Sequence, residues 1–260
     1  MIIKERLKKI YKDRRLLYGM SLKQFKEKHA GSKLGIWWAI ATPLVLALSI
    51  NFVFINVFNI KFKDYTLFVL AGLIPWAFFI NSLTEATYSF TACSSLLKQT
   101  SFPREFVSIS SILSNLFNFM LSIIFLIPLF IISNSGVIKL LPVLVVVIII
   151  HSIFIIGLGF IVSSLNIFSR DLNHFLPIAF MIWFWVTPVF YSLDMVAKPF
   201  QWVCIYNPMT YFIAMYQSIL FKAALPTLAT FSISVFLSVL SFFSGYLFFV
   251  ANEADLLKRA

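Results

Sequence analysis

Charge is what this sequence lacks most. Of its 260 residues only 12% are Asp, Glu, Lys or Arg, 60% are hydrophobic, and the mean hydropathy is +0.93. A soluble domain carries about a quarter charged residues, so a water-exposed globule is excluded. Cysteine is nearly absent. Cys93 and Cys204 cannot build a disulfide framework, and on the topology derived below they face opposite sides of a membrane, so no disulfide is expected. Histidine is limited to His29, His151 and His174, scattered without metal-ligand spacing. No G-x-x-x-x-G-K-S/T occurs, which excludes nucleotide binding by a P-loop, and no Ser, Cys or carboxylate sits in a nucleophile motif. A membrane-embedded transferase would need a catalytic acid or a metal cluster, and neither is found. No catalytic residue, metal or cofactor is expected on this chain.

What is present is length of apolar run. Stretches of roughly 20 apolar residues recur, the length of a helical span, where an outer-membrane barrel shows ~10-residue alternation. The chain therefore reads as an all-α, polytopic integral membrane protein. Spans are expected at about 34–58, 65–90, 106–132, 140–165, 175–193 and 227–250, forming one transmembrane domain over 34–260. The second is interrupted by Gly72 and Pro75. Nothing reads as a cleaved targeting sequence: the leading basic region is long, the first run exceeds a signal core, and no small-x-small site follows.

The net charge of +11 is concentrated in residues 1–33, which hold eleven of the 21 Lys and Arg. In a soluble protein this would suggest nucleic acid; here anionic membrane lipid is the expected partner and nucleic acid is not. Ile3, Leu7, Ile10 and Tyr11 recur at helical spacing among Lys4, Lys8, Lys9 and Lys12, so an amphipathic helix in the cytoplasmic interface is predicted over 1–33. With the N-terminus inside, sixteen Lys and Arg lie on cytoplasmic segments and five, Lys61, Lys63, Lys139, Lys198 and Lys222, lie outside. By the positive-inside rule both termini are cytoplasmic.

The chain is organised around NIFSRDLNHFLPIAFMIWFWVTPVFYS (166–192). Arg170 and Asp171 open it, and Trp183, Trp185, Phe190 and Tyr191 crowd its end near Pro188. Two readings are open: a lined passage with a charged mouth, or an interface charge pair with aromatic-belt residues. Residues 194–225 are broken by Pro199 and Asn207-Pro208. Asn207 before Pro208 is a helix start, with a cap residue and then proline at the first helical position. Each resulting helix is too short to cross ~30 Å of hydrocarbon, so two outer-side re-entrant half-helices are expected. Glu85 is the one acid within a span; it is either structural or mechanistic. His151 reads first as a satisfied interior histidine.

Four stretches resemble the permease subunits of ABC-2-type exporters of the O-antigen, capsule and teichoic-acid group. They are FKEKHAGSKLGIWWAIATPL (25–44), SSLLKQTSFPREFVSISSIL (94–113), the organising stretch, and YNPMTYFIAMYQ (206–217). Gln99 stands where that family usually has a second basic residue, and Ser95 where it has Asn. The resemblance implies a homodimer of this chain with two copies of a separate ATPase, which would hold ATP and Mg. It implies that the loop 91–105, through Ser95, Leu96, Leu97, Lys98, Gln99, Phe102, Pro103 and Arg104, couples to that ATPase. It implies a lipid-linked polysaccharide cargo in a bacterial inner membrane, with Arg170 and Asp171 at the cytoplasmic entrance. Trp183, Trp185, Phe190 and Tyr191 are then channel-lining candidates, since rings present apolar faces to sugar C–H groups; packing between spans is the alternative. Pro199, Trp202, Asn207, Pro208 and Tyr211 are candidates for an outer gate. Two rivals stand beside this reading: a permease of the same fold exporting a drug, lipid or small molecule, and a proton-coupled secondary transporter using Glu85 and His151. The sequence lacks the half-to-half symmetry common in the latter.

Overall fold

The computed structural model describes residues 12–57, 62–92, 103–169 and 171–259. In chain order its helices are α1 (Arg14–His29), α2 (Trp38–Asn51), α3 (Tyr65–Ala92), α4 (Glu105–Ser133), α5 (Val137–Phe168), α6 (Leu172–Val186), α7 (Gln201–Ile205), α8 (Pro208–Tyr216) and α9 (Leu228–Arg259). A 3-10 turn, Gly35–Trp37, leads into α2, and a wider π-type turn, Phe52–Val57, prolongs it. A second such turn, Gln217–Phe221, follows α8. The described residues contain no strand. Five of the helical segments are long and apolar enough to cross a membrane: Gly35–Val57, Tyr65–Phe90, Glu105–Ser133, Val137–Phe168 and Leu228–Glu253.

The fifth expected span departs from its sequence reading. A helix over 175–193 is expected, whereas α6 begins at Leu172 and stops at Val186. At ~1.5 Å per residue, its 15 residues fall short of ~30 Å of hydrocarbon. Pro188 is the cause, because its ring disfavours helical backbone at the residue before it. Thr187 is accordingly extended, at φ −93° and ψ 133°. The non-helical backbone that follows is buried and finds partners in other elements. Gln217 Nε2 donates to the carbonyls of Pro188 and Val189, each at 3.2 Å, and the Tyr65 hydroxyl donates to that of Phe190 at 2.6 Å. Irregular backbone at membrane depth needs such cover. Gly72 makes room for it: a Cβ there would stand 2.8 Å from the Val189 carbonyl oxygen.

Between α6 and α9 the chain forms short helices, as the proline pattern predicts. Asn207 caps α8, its side-chain oxygen accepting from the Met209 amide at 3.0 Å, with Pro208 at the first helical position. The final helix extends beyond its apolar run and takes in the charged C-terminal residues to Arg259.

At the N-terminus, the predicted stripe of Ile3, Leu7, Ile10 and Tyr11 lies outside the described residues. The described part, α1, docks on α4. Tyr18 and Phe25 meet Phe117 edge-on at 6.0 and 5.9 Å, and Gln24 Nε2 donates to Ser110 Oγ at 3.1 Å.

The core lies where α3, α4, α5 and α8 converge. Phe79, Ile155, Phe212 and Tyr216 are wholly enclosed there. Behind it, α5 and α9 pack with their backbones nearly touching. A Cβ on Gly157 would overlap the Ser241 backbone, and one on Gly245 would overlap the Gly157 carbonyl. Ser238 and Ser241 donate across the same seam to the carbonyls of Ile150 and Phe154, at 2.8 and 2.9 Å.

Candidate functional site

A cavity of about 650 Å³ opens between α2, α3, α4 and α6. Each wall follows from helical periodicity. On α6, Pro177, Phe180, Met181 and Phe184 line it, a stripe spaced three or four residues apart. On α4, Asn115, Asn118, Phe119 and Ser122 form a second stripe at the same spacing, and three of those four are polar. From α3 come Trp76, Ile80, Asn81 and Thr84, and from α2 Trp38, Thr42 and Leu46. His29, the last residue of α1, closes one end.

Some polar groups in this wall are committed. Ser122 Oγ donates to the Ala39 carbonyl at 2.8 Å and so ties α4 to α2. Asn118 Oδ1 is buried and meets no protein donor, while Asn81 is exposed. The cavity thus offers flat rings and amides within the spanning bundle. Rings suit apolar faces, and amides both donate and accept hydrogen bonds. Neither type holds a nucleophile. Among the described residues no group of three His, Cys, Asp or Glu could hold a metal ion.

One charged cluster borders the cavity. Lys28 Nζ lies 2.6 Å from Glu85 Oε2 and donates to Asn115 Oδ1 at 3.1 Å. Asn115 Nδ2 donates in turn to Glu85 Oε2 at 2.8 Å. Burial draws the Lys28 ammonium below its ordinary pKa, and the Glu85 carboxylate opposes that shift. The one acid expected within a span is therefore paired with the helix that precedes the first span.

The predicted lining rings lie elsewhere. Trp183 faces the interior and meets Trp76 and Phe79 edge-on at 6.4 and 5.2 Å. Its indole N–H donates to Asn207 Oδ1 at 2.8 Å. Phe190 is buried against Phe54, Phe184 and Trp185. Tyr191 donates from its hydroxyl to the Trp185 carbonyl at 3.1 Å, and the Trp185 ring is exposed. None of the four borders this cavity.

The outer-gate candidates divide. Asn207 is buried and fully used: it accepts from Trp183 and Met209 and donates to Thr187 Oγ1 at 2.8 Å. Tyr211 donates to the Ile205 carbonyl at 2.8 Å. Pro208 starts α8, Pro199 lies in an exposed turn, and Trp202 is exposed on α7. The sequence motif around Asn207 and Gln217 is thus a set of hydrogen bonds that fastens α8 to the broken end of α6.

Of the predicted coupling loop, Ser95, Leu96, Leu97, Lys98, Gln99 and Phe102 lie outside the described residues, as do Arg170 and Cys93. Pro103 is buried, and Arg104 pairs with Glu253 of α9. Asp171 is exposed at the start of α6. Cys204 is a buried free thiol. His151 is enclosed away from the cavity, stacked on Phe212 at 4.9 Å and edge-on to Phe78 at 5.5 Å, with Nδ1 facing the Tyr216 hydroxyl at 3.4 Å.

Sequence reasoning missed Asn81, Asn118, Phe180 and Phe184. Their signal is present: amides and serines recur at helical spacing along an otherwise apolar α4, and two rings sit four apart on α6.

Comparison with known proteins bears on what such a cavity serves. Residues 15–221 match the family model described as "ABC-2 type transporter". An O-antigen export system permease protein RfbA of Klebsiella pneumoniae is 32% identical over 211 residues, covering 81% of this chain and 82% of that protein. A protein of the same name from Myxococcus xanthus is 27% identical over 229 residues, covering 85% of each.

Proposed function

Because the chain belongs to the ABC-2 type transporter family, we propose that it is the membrane-spanning permease subunit of an ATP-driven exporter of lipid-linked surface polysaccharide. It is a multi-pass membrane protein, and two of its curated relatives are named as O-antigen export permeases. The single observation that carries the cargo reading is the ring-and-amide cavity among four helices that meet within the membrane-spanning bundle. Rings let a sugar chain rest on its apolar faces, and amides such as Asn81 and Asn118 satisfy its hydroxyls one at a time. No contact is deep, so the chain slides.

The energy comes from a partner. No P-loop exists in this sequence, so ATP and Mg belong to a separate ATPase, two copies of which serve a homodimer of this chain. The loop 91–105 meets that ATPase on the cytoplasmic side of a bacterial inner membrane, where both termini also lie, α6 and the buried non-helical stretch 187–190 after it together making the sixth crossing. At its end, Arg104 pairs with Glu253; a push on the loop therefore reaches α4 and α9 together. Arg170 and Asp171 flank the cytoplasmic approach to α6, and the short helices α7 and α8 close the outer side.

The test is Asn81→Leu, made at an exposed position so that folding is indifferent to it. Surface polysaccharide should fall at least about tenfold, the scale of one or two lost hydrogen bonds, with the amount of membrane-inserted chain unchanged. Undiminished export overturns the assignment of the cavity. Purifying the tagged chain should bring down an ATPase polypeptide, and cargo crossing vesicles that contain this chain alone would overturn the energy source.

A further inference from the structure

The Lys28–Glu85–Asn115 cluster is a strange thing to build beside a cavity whose other walls hold only rings, aliphatic groups and neutral polar side chains. A bare ion pair there costs desolvation of two charges, and apolar residues of similar volume serve packing as well or better. Its geometry resembles a filled anion site. One carboxylate oxygen, Glu85 Oε2, receives both the Lys28 ammonium and the Asn115 amide N–H. Lys28 keeps a third donor beyond Glu85 and Asn115. His29 follows at once, with Nδ1 turned to the Phe25 carbonyl at 2.9 Å and its ring on the cavity wall.

We infer that Lys28 and Asn115 form a receiving site for the phosphate of an anionic lipid head group, held closed in this state by the chain's own Glu85 carboxylate. Three observations support exchange over a permanent pair. Asn115 and His29 both border the cavity, so an incoming anion reaches the site from it. The Glu85 side chain is 36% exposed and Lys28 24%, so the displaced carboxylate has room to turn out of the site. A phosphate offers more acceptor oxygens and more negative charge than one carboxylate, and lysine binds it as a point charge. The lipid source is favoured over a soluble anion by place. The site lies where α1, the end of the basic N-terminal region, meets the spanning helices α3 and α4, with rings, aliphatic groups and neutral polar side chains rather than further charges beyond it. This rests on the exporter reading above for the lipid character of the cargo and names the part of it that enters first.

The full-length chain in phosphatidylcholine nanodiscs is titrated with farnesyl diphosphate, inorganic diphosphate and farnesol. Tryptophan fluorescence reports binding, because Trp38 and Trp76 line the same cavity. Farnesyl diphosphate should saturate and farnesol should not. Lys28→Gln should weaken binding at least about tenfold, and Glu85→Gln should tighten it about tenfold, the scale of one charged hydrogen bond. The opposite signs distinguish an exchange site from a structural pair, whose two halves weaken binding alike or leave it unchanged; either of those results overturns the inference. Inorganic diphosphate binding as tightly as the lipid overturns the head-group source. If Glu85→Gln does not insert, Glu85→Asp loosens the carboxylate without removing it and should tighten binding about threefold. No glycan and no ATPase enter this assay. Its failure with export intact leaves the exporter reading standing, and loss of export with head-group binding intact does the reverse.

Discussion

The back and front of this bundle are built on different physics. At the back, α5 and α9 are held by small residues: Gly157 and Gly245 admit direct backbone contact, and Ser238 and Ser241 donate across it. In lipid no hydrophobic force drives helices together, so close approach and interhelical hydrogen bonds hold them. At the front, α2 and α6 have large apolar faces the chain does not cover, with Val45 and Leu48 on one and Phe175, Ile178, Met181 and Trp185 on the other. The seam at the back is backbone against backbone, although the outer faces of α5 and α9, with Ile149, Phe236 and Phe243, are also uncovered. The front is open to lipid or to another copy, and the cavity lies behind it. A transporter that must admit a bulky cargo gains from that division, because the cavity is walled by side chains and lies away from the backbone-to-backbone seam.

Four substitutions sharpen or break the contrast, each read as thermal unfolding of the detergent-solubilised chain. Gly245→Leu should be the most damaging, costing about 3 kcal/mol or preventing stable insertion, since its side chain has nowhere to go but the Gly157 backbone. A tolerated leucine would mean the back seam is loose. Asn207→Ala should cost about 2 kcal/mol, because it leaves the Trp183 indole and the Met209 amide without their acceptor. Gly72→Ala should cost about 1 kcal/mol, the added methyl pressing on Val189. Ile178→Ala at the front should stay within about 0.5 kcal/mol of the parent. A loss as large as that at Asn207 would show the front to be as tightly packed as the rest.

Much of the architecture was legible without coordinates. Five of the long apolar runs coincide with helices long and apolar enough to cross a membrane, since span length is dictated by the bilayer. Asn207 followed by Pro208 located the start of α8, because capping and proline geometry are local. The fifth apolar run outlasts its helix: hydrophobicity continues through Phe190 and Tyr191, whereas Pro188 ends the helix at Val186. Of the candidate site, the rings most visible in the sequence, Trp183 and Trp185, do not border the cavity, whereas Phe180 and Phe184 on the neighbouring stripe do. Period alone tells which residues share a face and not which way that face turns.

The sequence by itself determined a membrane protein of several helices, with a basic cytoplasmic arm expected and no nucleotide motif, because composition, run length and motif spacing act through local chemistry. Only the tertiary structure decided that Glu85 meets Lys28, that Asn207 holds Trp183, and that amides from α3 and α4 face rings from α6 across one cavity. Those partners are separated by 57, 24 and up to about a hundred positions in the chain, the two pairings read directly from the residue numbers. Pairings at such separations are set by how whole helices pack, which no local pattern encodes.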